Sequence, residues 1–126
     1  MSEKRALLGR KGEDLAACYL QQRSFILLER NYKGRTGEID IIAREGKTTV
    51  FVEVKTRRKG ASYFPAEAVT VRKQRQISRT AQEYLLQHKL QNESARFDVI
   101  SVSMSQDETP EIDHISNAFD LSHDDC

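Results

Sequence analysis

Between two runs of alternating β-branched residues, 38–44 and 48–57, the chain has only Glu45, Gly46 and Lys47. A two-residue loop with glycine at its first central position fits a type II′ hairpin turn, whose twist matches that of the flanking strands. With Glu45 facing Thr48, paired residue numbers sum to 93. Asp40 is then expected opposite Glu53, and Glu38 opposite Lys55. The two-residue period of a strand puts these four on one face and Ile39, Ile41, Val50, Val52 and Val54 on the other. The first face is charged and the second is core.

The rest of the chain supplies partners for that core. Leu8, Leu15, Ala16, Tyr19 and Leu20, with Gly12 on the same stripe, recur at helical spacing and predict an amphipathic helix ending near Arg23. Residues 25–32 are rich in strand formers, and residues 34–37 carry turn chemistry. After a break over residues 60–65, Val71, Ile77, Ala81, Tyr84 and Leu85 predict a second helix from Thr70 to about Lys89. Residues 91–94 form a loop, 97–104 a fourth strand, and 112–119 a fifth with weaker patterning. The order α-β-β-β-α-β predicts an α/β fold, a mixed sheet flanked by helices. Residues 1–119 are expected to form a single domain, and residues 120–126 a polar acidic C-terminal tail.

Several function classes are excluded by what is missing. Cys18 lies in a helical pattern and Cys126 is the last residue, so neither a disulfide framework nor a zinc knuckle is indicated. The longest apolar run, residues 25–28, is far too short to span a bilayer, and the N-terminus has no apolar stretch of signal-peptide length. A cytoplasmic protein with no membrane partner is expected. The formal charge of +1 is unevenly spread: residues 1–105 hold all 20 Lys and Arg against 12 acids, and residues 106–126 hold 7 acids and no Lys or Arg. A basic body attracts polyanions, although charge at this density serves solubility equally well.

Asp40 opposite Glu53 raises a specific problem. Directly opposed side chains have Cβ atoms about 5 Å apart, and like charges so placed destabilise unless something compensates. A divalent cation with oxygen preference, Mg²⁺ or Mn²⁺, would do so, because Mg²⁺ takes one or two carboxylates together with water and substrate phosphate. Lys55 lies roughly 7 Å beyond Glu53 on the same face, within reach of a phosphate. An ordinary half-exposed hairpin with a Glu38–Lys55 cross-strand pair accounts for the same pattern. Glu13 lies beside the apolar stripe of the first helix, and Gln74 falls on the stripe of the second, where its amide needs partners; Asp14 and Asp98 have weaker claims. Arg72, Arg75 and Arg79 line one face of the second helix with Lys73 close by. With Lys33, Arg35, Arg57, Arg58 and Lys59 they suit contacts to a nucleic-acid backbone, or a solvated surface. His88, His114 and His123 are scattered and receive no role, and no Gly-rich loop of nucleotide-binding type is present.

The segments GRKGEDLA, GEIDIIA, FVEVKTR, KQRQI and RFDVISV, spread over residues 9–104, resemble the YraN family of small bacterial nuclease-like proteins, within the PD-(D/E)XK nuclease superfamily. The resemblance implies a restriction-endonuclease-like core, Asp40 and Glu53 as metal ligands, and Lys55 as the catalytic lysine. It places Glu13 at the helix glutamate of the similar archaeal Holliday-junction resolvases, as a further metal ligand and catalytic residue. Gln74 is matched to a glutamine with a supporting catalytic part. Ile39 stands where the superfamily motif has proline. The implied activity is metal-dependent hydrolysis of DNA phosphodiester bonds, at branched or junction DNA, with DNA as partner; a symmetric homodimer would suit junction cleavage. The alternative is a non-catalytic nucleic-acid-binding module that keeps the fold.

Overall fold

The computed structural model describes residues 3–58, 69–104 and 109–120, with side chains from residue 10 onward. Leu8's side chain, Lys59, the break at residues 60–65 and the tail residues 121–126 lie outside that description. The element order is α1 (Glu3–Gln22), β1 (Ile26–Lys33), β2 (Glu38–Glu45), β3 (Thr48–Arg58), α2 (Val71–Gln87), β4 (Ala95–Met104) and β5 (Glu111–Phe119). The five strands form one sheet in chain order; β3 and β4 are parallel and every other pairing is antiparallel. This is the α/β, mixed-sheet arrangement expected of a restriction-endonuclease-like core.

Each face of the sheet is covered by one helix. Ala16, Ala17 and Leu20 of α1 pack on Ile41, Ala43, Val50, Val52, Ile100 and Val102. Ile77, Ala81, Tyr84 and Leu85 of α2 pack on Ile39, Ile42, Phe51, Phe97 and Val99. The residues of β3 and β4 thus alternate between two buried layers, as strands covered on both sides must. Val71, expected in the α2 stripe, is 61% exposed because the helix begins there.

Both helices end in the same way despite lacking a terminal glycine. Ser24, at φ +71°, donates its N–H to Gln21 O, while Phe25 N–H reaches Leu20 O. At the end of α2, Lys89 (φ +57°) and Leu90 repeat the pattern on Leu86 O and Leu85 O. These paired bonds satisfy carbonyls that the helix leaves open, and Phe25 on Leu20 closes the turn with buried apolar contact.

The hairpin register is the predicted one. Glu45 pairs with Thr48 and the ladder runs to Ile41↔Val52. Gly46 has φ +62°, and Lys47 does not share its positive φ, which is the type II′ pattern. Beyond Ile41 the expectation fails: the Asp40↔Glu53 and Glu38↔Lys55 rungs do not form, and Glu38 pairs instead with Lys33 of β1. The cause is a break in alternation. Ile39 and Ile42, three residues apart, lie in the same layer under α2, so Ile39 is not on the Ile41 face. Asn31, which falls between the β1 partners of Ile39 and Ile41, has a left-handed φ of +53°. Irregularity in both strands at one point turns β2 away from β3 and opens a fork between them.

Candidate active site

Asp40 stands at the apex of the fork. Its Oδ2 accepts the backbone N–H of Val54 at 2.8 Å, so a side chain satisfies the donor that the ladder has left open. Burial raises the Asp40 pKa above its ordinary 3.8, while the Val54 hydrogen bond and the ammonium groups of Lys73 and Lys55 pull it back.

Glu53 lies on β3 at the same fork and is only 7% exposed. Phe51, two residues earlier, points into the α2 layer, so Glu53 and Lys55 share that face of the strand. The Lys55 ammonium pairs with Glu53 Oε2 at 3.4 Å. Burial first, and the Asp40 carboxylate second, push the Glu53 pKa from 4.5 up to about 7 against the opposing pull of Lys73 and Lys55. Two carboxylates therefore press on each other in a space with little water, as the sequence predicted, though through a fork and not a rung.

Glu13 approaches from α1. The helix sits close to the sheet at Gly12, the residue before Glu13, where a Cβ would collide with the Thr56 side chain of β3. Burial and Asp40 raise the Glu13 pKa; Arg30 and a hydrogen bond from Asn31 offset part of this. Arg30 holds Glu13 at 3.6 Å and Asp14 at 2.8 Å. Gln74 meets a local need, its Nε2 donating to Val69 O at 2.9 Å just before α2.

The donor chemistry fits a hard divalent cation at Asp40 and Glu53, since oxygen ligands under mutual repulsion are what such an ion relieves. Among the described residues, no group of three His, Cys, Asp or Glu side chains is placed to hold a metal ion. The arrangement offers two carboxylates that feel one another, with Glu13 electrostatically coupled to Asp40.

The basic residues separate into two sets. Arg72, Arg75 and Arg79 are exposed on α2, as are Lys33 and Arg35 at the β1–β2 turn and Arg58 at the end of β3. The turn is docked on α2: Gln76 donates to Thr36 O at 2.8 Å, Thr36 and Thr80 hydroxyls meet at 3.2 Å, and Glu83 accepts Arg35 N–H at 3.0 Å. A Cβ on Gly37 would strike Gln76, so glycine permits this approach. Docking holds the Arg35 backbone against α2 at Glu83. Lys73 departs from the expectation: it is half-buried and acts on Asp40 and Glu53. Arg57 is likewise engaged, its Nε donating to Ser103 Oγ at 3.1 Å.

A second polar cluster was missed at the sequence level. Asp98 is fully buried and accepts from Arg96 Nε at 3.0 Å, from the Asn117 N–H at 2.9 Å, and meets His114 Nε2 at 2.7 Å. His114 Nδ1 lies 3.3 Å from the Tyr19 hydroxyl, and its ring packs on Tyr19 and Phe25. Burial would raise the Asp98 pKa, but the bonds from His114, Arg96 and Asn117 outweigh it and hold the carboxyl below 3.8. His114, given no role from sequence, ties β5 to β4 and to α1. The available signal was parity: Asp98 shares a face with Ile100 and Val102.

Comparison with known proteins agrees with the motifs. Residues 12–102 match the model of the uncharacterised protein family UPF0102. A UPF0102 protein of Geobacter sulfurreducens is 48% identical over 97% of this chain and 95% of its own length. One from Geotalea daltonii is 52% identical over 92% of this chain and 91% of its own. One from Rhodococcus opacus is 47% identical over 89% and 95%. The chain belongs to the UPF0102 family, which is the YraN family that its five motif segments resemble.

Proposed function

We propose that this protein is a metal-dependent endonuclease of the PD-(D/E)XK type that hydrolyses DNA phosphodiester bonds, with branched or junction DNA as the substrate class. The observation that supports this best is the Asp40–Glu53 pair, one member raised to about 7 by burial and by the other. A fold gains no stability from two buried carboxylates so placed; a cation-binding site requires them.

Asp40 and Glu53 would hold Mg²⁺ or Mn²⁺, with Glu13 as a further ligand reached through rearrangement of its Arg30 contact. When bound, the ion supplies Lewis-acid polarisation of a phosphoryl oxygen and offsets the charge that develops there. Lys55, beside Glu53, holds a positive charge against the scissile phosphate. Gln74 keeps the start of α2, and thereby Lys73, at the fork. Arg72, Arg75 and Arg79, with Lys33 and Arg35, contact the flanking backbone.

Incubating the protein with junction, flap and duplex DNA in Mg²⁺ or Mn²⁺ tests this. Cleavage is expected and is lost in Asp40→Ala and Lys55→Ala; cleavage that persists in both variants overturns the reading. A second reading, a nucleic-acid-binding module without catalysis, draws on the same basic surface and on the lack of a three-residue metal group among the described residues. It predicts salt-sensitive binding that survives Glu53→Ala, with no cleavage by the unaltered protein.

A further inference from the structure

One buried polar atom among the described side chains has no hydrogen-bond partner: the Oγ of Ser101, on β4, whose residue is 0% exposed. Native interiors rarely leave such a group unsatisfied, and a functional role is among the usual reasons for an exception. The position of Ser101 identifies its neighbour. It pairs with Lys55 in the parallel β3–β4 ladder, and with the exposed Asp113 of β5 on its other side. Residues on either side, Ile100 and Val102, pack under α1, which puts Ser101 on the α2 face with Glu53 and Lys55.

The next row along the same face shows what that pairing can do. Arg57 pairs with Ser103, and its Nε donates to Ser103 Oγ at 3.1 Å. Ser103 is nearly as buried as Ser101, at 5% exposed. Lys55 and Ser101 repeat this cation–serine relationship two residues earlier. The difference is that Lys55 turns to Glu53, at 3.4 Å, and leaves the serine without a partner.

We infer that Ser101 is a positioning residue with an acceptor that receives the Lys55 ammonium when a divalent cation takes the Asp40 and Glu53 carboxylates. The inference rests on the metal reading above. A cation held by Glu53 would repel Lys55 and compete with it for that carboxylate, and the open acceptor on the adjacent strand is Ser101 Oγ. Lys55 thus has two positions, one neutralising Glu53 before the ion binds and one anchored on β4 after. Anchoring fixes the ammonium for phosphate in place of letting a flexible four-carbon stem wander into solvent. Ser101 would then strengthen ion binding, by stabilising the displaced lysine, without touching the ion.

Calorimetric titration of Mn²⁺ into the full chain tests this with four proteins: unaltered, Ser101→Ala, Lys55→Met and the double variant. Ser101→Ala is expected to weaken Mn²⁺ binding roughly tenfold when Lys55 is present, the worth of a hydrogen bond to a charged group. It is expected to change binding less than about twofold in the Lys55→Met background, where no ammonium needs the acceptor. Without the ion, Ser101→Ala should melt at or above the unaltered protein, because no bond is lost. Equal weakening in both backgrounds, no weakening in either, or a clear loss of ion-free stability overturns the role of Ser101 alone. A failure of the unaltered protein to bind Mn²⁺ overturns the metal reading, and the role of Ser101 with it.

Discussion

The Asp40 carboxylate replaces a rung of the sheet: its Oδ2 accepts the Val54 N–H at 2.8 Å where β2 has turned away from β3. One group therefore both closes the fork and faces the buried carboxylate of Glu53. The electrostatic consequence is a fold that carries repulsion at its most constrained point.

That repulsion sets a pH dependence. The Glu53 carboxyl titrates near 7 in the folded protein against 4.5 ordinarily, so the folded state binds a proton more tightly than the unfolded one. Stability from this group is full below about pH 4.5 and is lost as pH rises through 7, a change on the order of 3 kcal/mol. Urea titrations of the ion-free protein should show stability falling over that window. Glu53→Gln should flatten the curve and raise stability at pH 8; an unchanged slope would count against the coupling.

The close seat of α1 depends on one absent methyl group. Gly12→Ala drives a Cβ into the Thr56 side chain, and overpacking of this kind costs about 1–3 kcal/mol. Thermal melting should show the loss, and Thr56→Ala should restore much of it in the double variant. Two losses that simply add would mean that the helix is not held against β3 at this contact.

Asp98, which is 0% exposed, collects three donors. Asp98→Ala leaves Arg96 with Glu45 alone, at 2.8 Å, and takes the acceptor from His114 Nε2 and the Asn117 N–H; an orphaned buried polar group costs about 1–3 kcal/mol. His114→Ala removes the link between β5 and α1 while sparing Arg96, and is expected to cost less. Hydrogen exchange should localise the His114→Ala effect to residues 111–119. Uniform acceleration across the sheet would contradict a local tie.

The arginine stripe of α2 should govern affinity for polyanions. Changing Arg72, Arg75 and Arg79 together to alanine should weaken DNA binding and lower the slope of log affinity against log salt by about 2–3. Fluorescence anisotropy at several salt concentrations measures both. An unaltered slope would assign the contacts to other residues.

Sequence was informative where structure is local. Gly46-Lys47 sets the register from Glu45↔Thr48 to Ile41↔Val52 because turn geometry and strand period act over a few residues. It was uninformative at Asp40, where the outcome depends on the left-handed Asn31 in another strand. His114 was opaque for a related reason: its partner Asp98 lies 16 residues away across a strand irregularity. Lys73 looked like part of an exposed basic run, and only the packing of α2 on the sheet turns it toward the fork. The two carboxylates of the proposed metal site were legible as residue types at a motif, whereas Ser101, a small residue in an apolar strand, carried no visible signal.

The parallel β3–β4 ladder has a consequence for the order in which this molecule assembles. Its two strands are separated in the chain by residues 59–94, so Lys55 meets the Ser101 row only after a long stretch has closed, whereas Asp40 and Glu53 belong to one short hairpin. Contacts of high sequence separation form against a larger entropic cost and so tend to come late. The β2–β3 hairpin can therefore bring its two acids near each other early in folding, before the serine row of β4 arrives to complete the lysine's surroundings.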